Sequence, residues 1–132
     1  MNRIINRTEY RFFVPGKPAS FRVKAAKEFK TRARRCAREF FEAPLEMDNL
    51  EIRLDHFHRK SVRSDMDNIA KALIDALNGL AYIDDKQIRL QISQRHDLRK
   101  VVTLHEHPLD VIKPLQEFDE YLFVRIREPA RR

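Results

Sequence analysis

Acidic side chains that can bind a metal ion occur in two short stretches of this 132-residue chain. Asp65 and Asp67 lie two positions apart, and Asp84 and Asp85 are adjacent. Carboxylates this close repel each other: a pair at about 4 Å costs on the order of 4 kcal/mol at an effective dielectric constant of about 20. A divalent cation offsets that repulsion, and carboxylate oxygens suit Mg²⁺ and Mn²⁺. The two stretches therefore indicate a metal site.

Lys71 adds a positive charge near these acids. It follows Asp67 by four residues and would share a face with it on a helix that begins near Asp67. An ammonium group there can hold a scissile phosphate while a metal ion activates water and stabilises the leaving oxygen. Taken singly, the residues have ordinary alternatives: a helix cap, a surface ion pair and a turn. Their combination in a basic chain favours a phosphodiesterase.

The chain carries 27 Lys and Arg residues against 20 Asp and Glu, a formal net charge of +7. This excess predicts a polyanionic partner, because each phosphate that a basic side chain neutralises releases counterions and adds affinity. The basic residues concentrate on one face of the stretch 22–41 and on the approach to Asp65, although a solvated helix face is the ordinary alternative. The predicted DNA contacts are Lys24, Lys27, Lys30, Arg34, Arg35, Arg59, Lys60 and Arg63.

Six periodic segments predict the elements that position these residues. Aromatic and β-branched composition or strict alternation predicts strands at 10–14, 50–58, 87–93 and 121–127. Three- and four-residue spacing of apolar residues predicts helices at 22–41 and 67–78. This order, β-α-β-α-β-β, predicts an α/β fold bordering on α+β, with one mixed four-stranded sheet and two main helices.

Residues 1–132 are expected to form a single domain. We assign 97–120 to a variable loop region, in which 101–104 can prolong a hairpin and 114–121 can form a helical turn, and 129–132 to a basic tail. Leu50, Ile52, Leu54 and Phe57 are expected to face the core from one strand, and Gly79 to cap the second helix.

Composition also disfavours several classes of protein. No apolar run approaches the roughly 20 residues of a membrane span, and the first seven residues lack the apolar region of a signal peptide. We therefore expect a cytoplasmic protein, nucleoid-associated when bound to DNA, with no membrane partner and no small-molecule substrate.

Cysteine and histidine point to no further site in the sequence. The single cysteine, Cys36, excludes an internal disulfide and predicts a buried thiol. The pairs His56/His58 and His105/His107 lack a third zinc ligand. We therefore predict that these four histidines are surface residues or DNA contacts.

The acidic stretches resemble a known family, the RusA-type Holliday junction resolvases. The family pattern is Asp-x-Asp-Asn, a lysine three residues later, Asp-Ala-Leu, a glycine, and Asp-Asp-x-Gln before a hydrophobic residue. The matching residues are Asp65-Met66-Asp67-Asn68, Lys71, Asp75-Ala76-Leu77, Gly79 and Asp84-Asp85-Lys86-Gln87-Ile88. Less specifically, the stretch 15–20 is similar to the turn after the family's first strand. The resemblance covers about residues 10–93 and, weakly, the last strand.

The resemblance implies a homodimer that binds four-way DNA junctions and makes paired, symmetric, Mg²⁺-dependent nicks in recombination and repair, often in a prophage-related setting. It implies catalytic roles for Asp65, Asp67, Lys71 and Asp85, with Asp65, Asp67 and Asp85 as metal ligands and Asp84 secondary. Two departures stand out: Ser64 precedes the first acid where many members have proline, and 97–120 has no assigned counterpart.

Two alternatives stay open. One is a non-catalytic branched-DNA-binding protein of the same fold, and the other is a nuclease that acts on other branched DNA or on RNA. Geometry adds a question, because a helix of about 12 residues is roughly 18 Å long and separates Asp85 from Asp67. Either the segment 80–83 folds back along the helix, or a second subunit supplies Asp85.

Overall fold

Strands and helices alternate along the part of the chain that this computed structural model describes, residues 8–18, 23–62, 64–100 and 112–129. Its strands are β1 (Glu9–Pro15), β2 (Leu50–His58), β3 (Ile88–Asp97) and β4 (Glu120–Arg127). Its α-helices are α1 (Val23–Arg38), α2 (Met66–Ala76) and α3 (Ile112–Glu117), and a 3₁₀ helix at Asp85–Gln87 precedes β3. Apart from the short α3, the order of these elements is the predicted one.

The described strands form one mixed sheet in the order β1-β4-β2-β3. β2 and β3 pair in parallel, whereas β4 pairs antiparallel with both β1 and β2. Parallel neighbours need a crossover connection, and α2 supplies it between β2 and β3. The predicted α/β fold with a mixed four-stranded sheet is therefore confirmed. The predicted acids lie at the two ends of this crossover.

One face of the sheet packs against α1 and α2. Alternation along β2 turns Leu50, Ile52 and Leu54 to this face, where they are buried together with Phe29 of α1 and Leu73 of α2. Burial of a side chain of this size stabilises the fold by about 1.5–3 kcal/mol. The apolar stripe of α2 fixes the rotation of that helix, so its polar stripe faces solvent.

The opposite face of the sheet carries a smaller apolar cluster. Phe57 is fully buried there with Tyr121 and Phe123 of β4. Phe57 is buried as predicted, but on the opposite face from Leu54, because three positions separate them and strand side chains alternate between faces. β2 is consequently buried on both faces over its second half rather than on one.

Helix boundaries differ from the prediction by a few residues. α1 ends at Arg38 rather than near Phe41, and the C-cap of α2 is Leu77 rather than Gly79. Gly79 nevertheless has φ of 79°, a conformation that favours glycine, and its amide donates to the carbonyl of Tyr82 at 2.8 Å. Its function is therefore to turn the chain back after α2.

The region 97–120 contains more regular structure than a loop in the part that is described. β3 extends to Asp97, and α3 occupies the first part of the predicted helical turn. The predicted hairpin extension at 101–104 and residues 130–132 of the predicted basic tail lie outside the described residues. A membrane-spanning helix is absent from the described parts of the chain, since none there combines the necessary length and apolar character.

Candidate active site

Residues from α2, from the turn before β3 and from the start of β3 line one cavity of about 500 Å³. Asp67, Lys71 and Asp75 recur every four residues and so lie along one exposed side of α2. Three of the predicted catalytic residues, Asp67, Lys71 and Asp85, share this cavity. The complete lining is Asp67, Lys71, Ile74, Asp75, Asp85, Ile88, Arg89 and Gln91.

Asp85 reaches the cavity because the chain folds back along α2 after Gly79. Tyr82 is fully buried, and its hydroxyl donates to the carbonyl of Ile74 at 2.6 Å. Burial raises the pKa of Tyr82 far above its usual range, so the hydroxyl keeps the proton that it donates. Of the two arrangements that helix length left open, the described chain adopts the fold-back.

Asp65 occupies the N-cap position of α2, but its carboxylate makes no capping hydrogen bond. Its backbone is extended, with φ of −71° and ψ of 141°, and its carbonyl accepts from the amide of Ile69 at 3.1 Å. The side chain is exposed and lies at the entrance of α2, outside the set of residues that line the cavity. Helix capping therefore does not account for this carboxylate.

Asp84, by contrast, is a capping residue. Its Oδ1 accepts from the amide of Lys86 at 3.0 Å, and the side chain of Gln87 accepts from the amide of Asp84 at 2.9 Å. The two bonds form a capping box at the start of the 3₁₀ helix. The ordinary interpretation of an acid in a turn is thus correct for Asp84, which does not line the cavity.

The adjacent carboxylates have opposite pKa shifts. The amide of Lys86 is the main cause that lowers the pKa of Asp84, followed by a hydrogen bond with Asp85. The hydrogen bond with Asp84 is the main cause that raises the pKa of Asp85, and the negative charges of Asp84 and Asp75 add to it against an opposing bond from Asn78. Negative charge is therefore concentrated around Asp85, where a cation would offset it.

Asp75 and Arg89 were not among the predicted site residues. The four-residue spacing of Asp67, Lys71 and Asp75 is visible in the sequence and was a usable signal for Asp75. Arg89 gave no such signal, because it reaches the cavity only through the parallel pairing of β3 beside β2.

The chemistry of these donors fits a magnesium ion. Mg²⁺ keeps several water ligands and is commonly held by one or two carboxylates together with substrate phosphates. Among the described residues, no three acidic, histidine or cysteine side chains are grouped so as to hold a metal ion by themselves. Asp67 and Asp85 line one cavity and supply two carboxylates. Two is within the number of protein carboxylates that commonly hold Mg²⁺.

A comparison with protein families matches residues 1–104 to the family described as endodeoxyribonuclease RusA. The chain belongs to this family. Membership supports an endonuclease activity and confirms the resemblance drawn from the acidic stretches. No curated protein matches the chain.

In this RusA family member, a basic groove of about 440 Å³ runs along α1. Three of the predicted DNA contacts, Lys24, Lys27 and Arg35, line it and are exposed, and the remaining lining is Glu28, Thr31 and Arg32. Lys30 is half-buried on the same helix, and Lys60 is exposed after β2. The groove is a cationic surface on a different helix from the one that lines the acidic cavity.

Two predicted DNA contacts of the RusA family member have structural partners. Arg34 donates through Nη1 to the carbonyls of Ala76 at 2.7 Å and Asn78 at 3.2 Å, at the C-terminal end of α2. Arg59 donates to the carbonyl of Leu115 in α3 at 2.7 Å. Arg63 lies outside the described residues.

The sequence predicts that the histidines of β2 are surface residues or DNA contacts, but in the structure both are buried. His56 is fully buried and His58 is 5% exposed. His56 Nε2 lies 2.8 Å from Glu120 Oε2, and His58 Nδ1 lies 2.7 Å from the carbonyl of Lys60. The prediction failed because β2 is an inner strand, between β4 and β3, and pairing with strands that come later in the chain leaves no local signal in the sequence. His105 and His107 lie outside the described residues.

Cys36 is half-buried in α1. Burial raises the pKa of its thiol, against the opposing charges of Arg32 and Arg35. The thiol is therefore less buried than predicted, and its raised pKa disfavours the reactive thiolate.

Proposed function

We propose that this protein is a metal-dependent DNA endonuclease that cuts four-way junctions by paired symmetric nicks, in recombination and repair. One observation carries the proposal: Asp67, Lys71 and Asp85, from two separate segments, line one cavity in a basic member of the RusA family. Mg²⁺ is the proposed cofactor, with Mn²⁺ as an alternative. The proposed place of action is the cytoplasm, on nucleoid DNA.

In the proposed mechanism, Asp67 and Asp85 would hold the metal ion at the cavity, Asp65 would contribute from the entrance of α2, and Asp84 would be secondary. When bound, the metal ion supplies an activated water and stabilises the leaving oxygen. Lys71 holds the scissile phosphate through its ammonium group, which lines the same cavity. Arg89 also lines the cavity, and a guanidinium can bind a phosphate through two parallel hydrogen bonds.

The groove on α1 is the proposed surface for the arms of the junction. Lys24, Lys27 and Arg35 are exposed there, so each can neutralise a phosphate and release counterions. Replacement of these residues is expected to weaken binding of all DNA and to flatten the dependence of affinity on salt. Arg34 and Arg59 contribute less in this proposal, because protein carbonyls already engage their guanidinium groups.

Paired nicks require two active sites, and we propose a homodimer. Leu90 and Ile92 of β3 are 40% and 42% exposed, and β3 is an edge strand among the described strands. An apolar strip on an edge strand suits a second copy of the chain. Light scattering is expected to show a dimer, and a variant that combines Leu90→Lys with Ile92→Lys is expected to be monomeric.

Cleavage of a labelled synthetic four-way junction tests the nuclease proposal. Nicks at symmetric positions are expected with Mg²⁺, and none with EDTA or in Asp67→Asn and Asp85→Asn. The matched control is Asp48→Asn, which alters an exposed carboxylate outside the cavity and should cut like the unaltered protein. Junction binding without nicks in any metal would instead support a non-catalytic protein, and preferred cutting of flaps or RNA would support the other alternative.

The fold-back of the chain also predicts which subunit supplies Asp85 to each active site. Because Asp67 and Asp85 of one chain line one cavity, each subunit is expected to hold its own site. Mixed dimers of Asp67→Asn and Asp85→Asn chains should then stay inactive. Recovery of nicking in the mixture would show that Asp85 acts across the dimer.

A further inference from the structure

A row of polar side chains connects β4 to the entrance of α2. Glu120 Oε2 of β4 lies 2.8 Å from Nε2 of the fully buried His56. Arg95 of β3 donates through Nε to His56 Nδ1 at 3.2 Å and through Nη2 to the carbonyl of Ser64 at 2.5 Å. Ser64 directly precedes Asp65 and is itself 9% exposed. The row therefore ends next to the acidic segment.

The chemistry of the row fixes the direction of every hydrogen bond. A guanidinium has donors only, so Nδ1 of His56 must accept from Arg95 and carry a lone pair. Nε2 then carries the proton and donates to Glu120. Burial lowers the pKa of His56 and favours this neutral ring, against the opposing effect of the hydrogen bond that the ring donates to Glu120. The neutral imidazole therefore orients the guanidinium of Arg95 by accepting one hydrogen bond from its Nε.

Arg95 acts at the point where the extended chain enters α2. The carbonyl of Asp65 begins the helical hydrogen bonds, and the Asp65 carboxylate makes no capping bond that would fix this end of the helix. A bond to the preceding carbonyl therefore restrains the position of the segment that carries Asp65 and Asp67. The other acid, Asp85, is fixed separately by its own capped turn.

We propose that Arg95 is a positioning residue, which with His56 and Glu120 holds the segment of Asp65 and Asp67 in place at the cavity. The proposal rests on the nuclease function proposed above, because positioning has an effect on activity only if these carboxylates bind the metal ion. Groups that hold metal ligands in place typically change metal affinity or activity by about 10- to 100-fold when they are replaced.

The test compares Arg95→Gln and Arg95→Lys with a matched control, Arg99→Gln. Arg99 follows the same strand, is exposed and pairs with Asp97 at 2.9 Å, and its replacement by glutamine removes the same charge. Arg95→Gln is expected to raise the Mg²⁺ concentration for half-maximal nicking by about 10-fold or more. Its KM for junction DNA should match that of Arg99→Gln, and Arg95→Lys should recover part of the metal affinity.

Amide hydrogen exchange provides a measurement that does not depend on cleavage. Arg95→Gln is expected to speed exchange at the amides of residues 69 and 70, the first in α2 with helical hydrogen bonds, relative to Arg99→Gln, because the entrance of α2 loses its restraint. In the unaltered protein, the ¹⁵N spectrum of His56 should show a protonated Nε2 and an unprotonated Nδ1.

Each contrary result has a distinct meaning. Unchanged exchange and an unchanged Mg²⁺ requirement in Arg95→Gln overturn the proposal, as does the opposite tautomer of His56. A higher KM for DNA with the same Mg²⁺ requirement would make Arg95 a DNA contact and also overturns it. If the unaltered protein cuts no nucleic acid, the nuclease proposal fails, and the exchange and tautomer measurements still decide whether Arg95 restrains this segment.

Discussion

Gln87 shows how one side chain positions the acidic turn before β3. It is 7% exposed, and its Nε2 donates to the carbonyls of Leu45 at 2.7 Å and Met47 at 3.0 Å. Its Oε1 accepts from the amide of Asp84. Nε2 thus joins the turn to the segment before β2, Oε1 closes the turn itself, and the location of Asp85 depends on these bonds.

Gln87→Leu is expected to lower the free energy of unfolding by about 2–4 kcal/mol, because it leaves backbone groups without partners in a buried place. Urea unfolding measures this change. Gln116→Leu, at an exposed position of α3, is the matched control and should change stability by less than about 0.5 kcal/mol. Equal losses in the two variants would contradict a structural function for Gln87.

At the scale of the elements, the basic face of α1 divides between two functions. Arg34 lies at the C-terminal end of α2, where its positive charge and two hydrogen bonds satisfy carbonyls left unpaired by the helix. Arg35, its neighbour, is exposed in the basic groove. Adjacent arginines therefore serve the packing of two helices and the proposed binding of DNA, respectively.

Arg34→Gln is expected to lower the free energy of unfolding by about 1–2 kcal/mol, since a hydrogen-bonded charge at a helix end is lost. Arg35→Gln should leave stability nearly unchanged and weaken DNA binding. Thermal unfolding and junction binding at two salt concentrations separate the two effects. If Arg34→Gln weakened binding as much as Arg35→Gln without loss of stability, the helix-end function would be wrong.

Local periodicity was sufficient to predict the strands, the helices and their order. The bounds of β2 match the prediction, because alternation is strict over its first half. Long-range pairing was not predictable: β4 lies between β1 and β2, which buries His56 and places Phe57 in a second cluster. Likewise, spacing identified Asp67 and Lys71, but the addition of Arg89 required the register of β3 beside β2.

At the scale of the whole molecule, buried His56 links stability to pH. Burial lowers its pKa, so as pH falls below about 6.5 the unfolded chain takes up a proton at this residue before the folded chain does. The free energy of unfolding should therefore decrease towards acid pH. Charges at Glu120, Arg95 and His58 surround the ring and modify this shift.

His56→Gln keeps an acceptor for Arg95 and a donor for Glu120 but does not titrate. Urea unfolding of both proteins between pH 5 and pH 8 is expected to show a shallower decrease in the variant below about pH 6.5. Above that pH the difference between the two proteins should be constant, which serves as an internal control. Parallel curves over the whole range would contradict the link.

Binding of Mg²⁺ is expected to stabilise the folded protein. At a concentration tenfold above Kd, a ligand that binds only the folded state adds about 1.4 kcal/mol, which raises Tm by about 5 °C in a domain of this size. Sodium chloride at equal ionic strength is the control, and Asp67→Asn should reduce the shift. An unchanged Tm at saturating magnesium would count against a metal site in the cavity.

The position of β4 in the sheet has a consequence for biosynthesis. Among the described strands, β1 pairs only with β4, and β2 reaches β1 only through it. A nascent chain interrupted before residue 120 has already supplied every proposed catalytic side chain, yet it lacks the strand that joins the sheet. Translation must continue past this point before a ribosome can release a chain that forms the complete sheet.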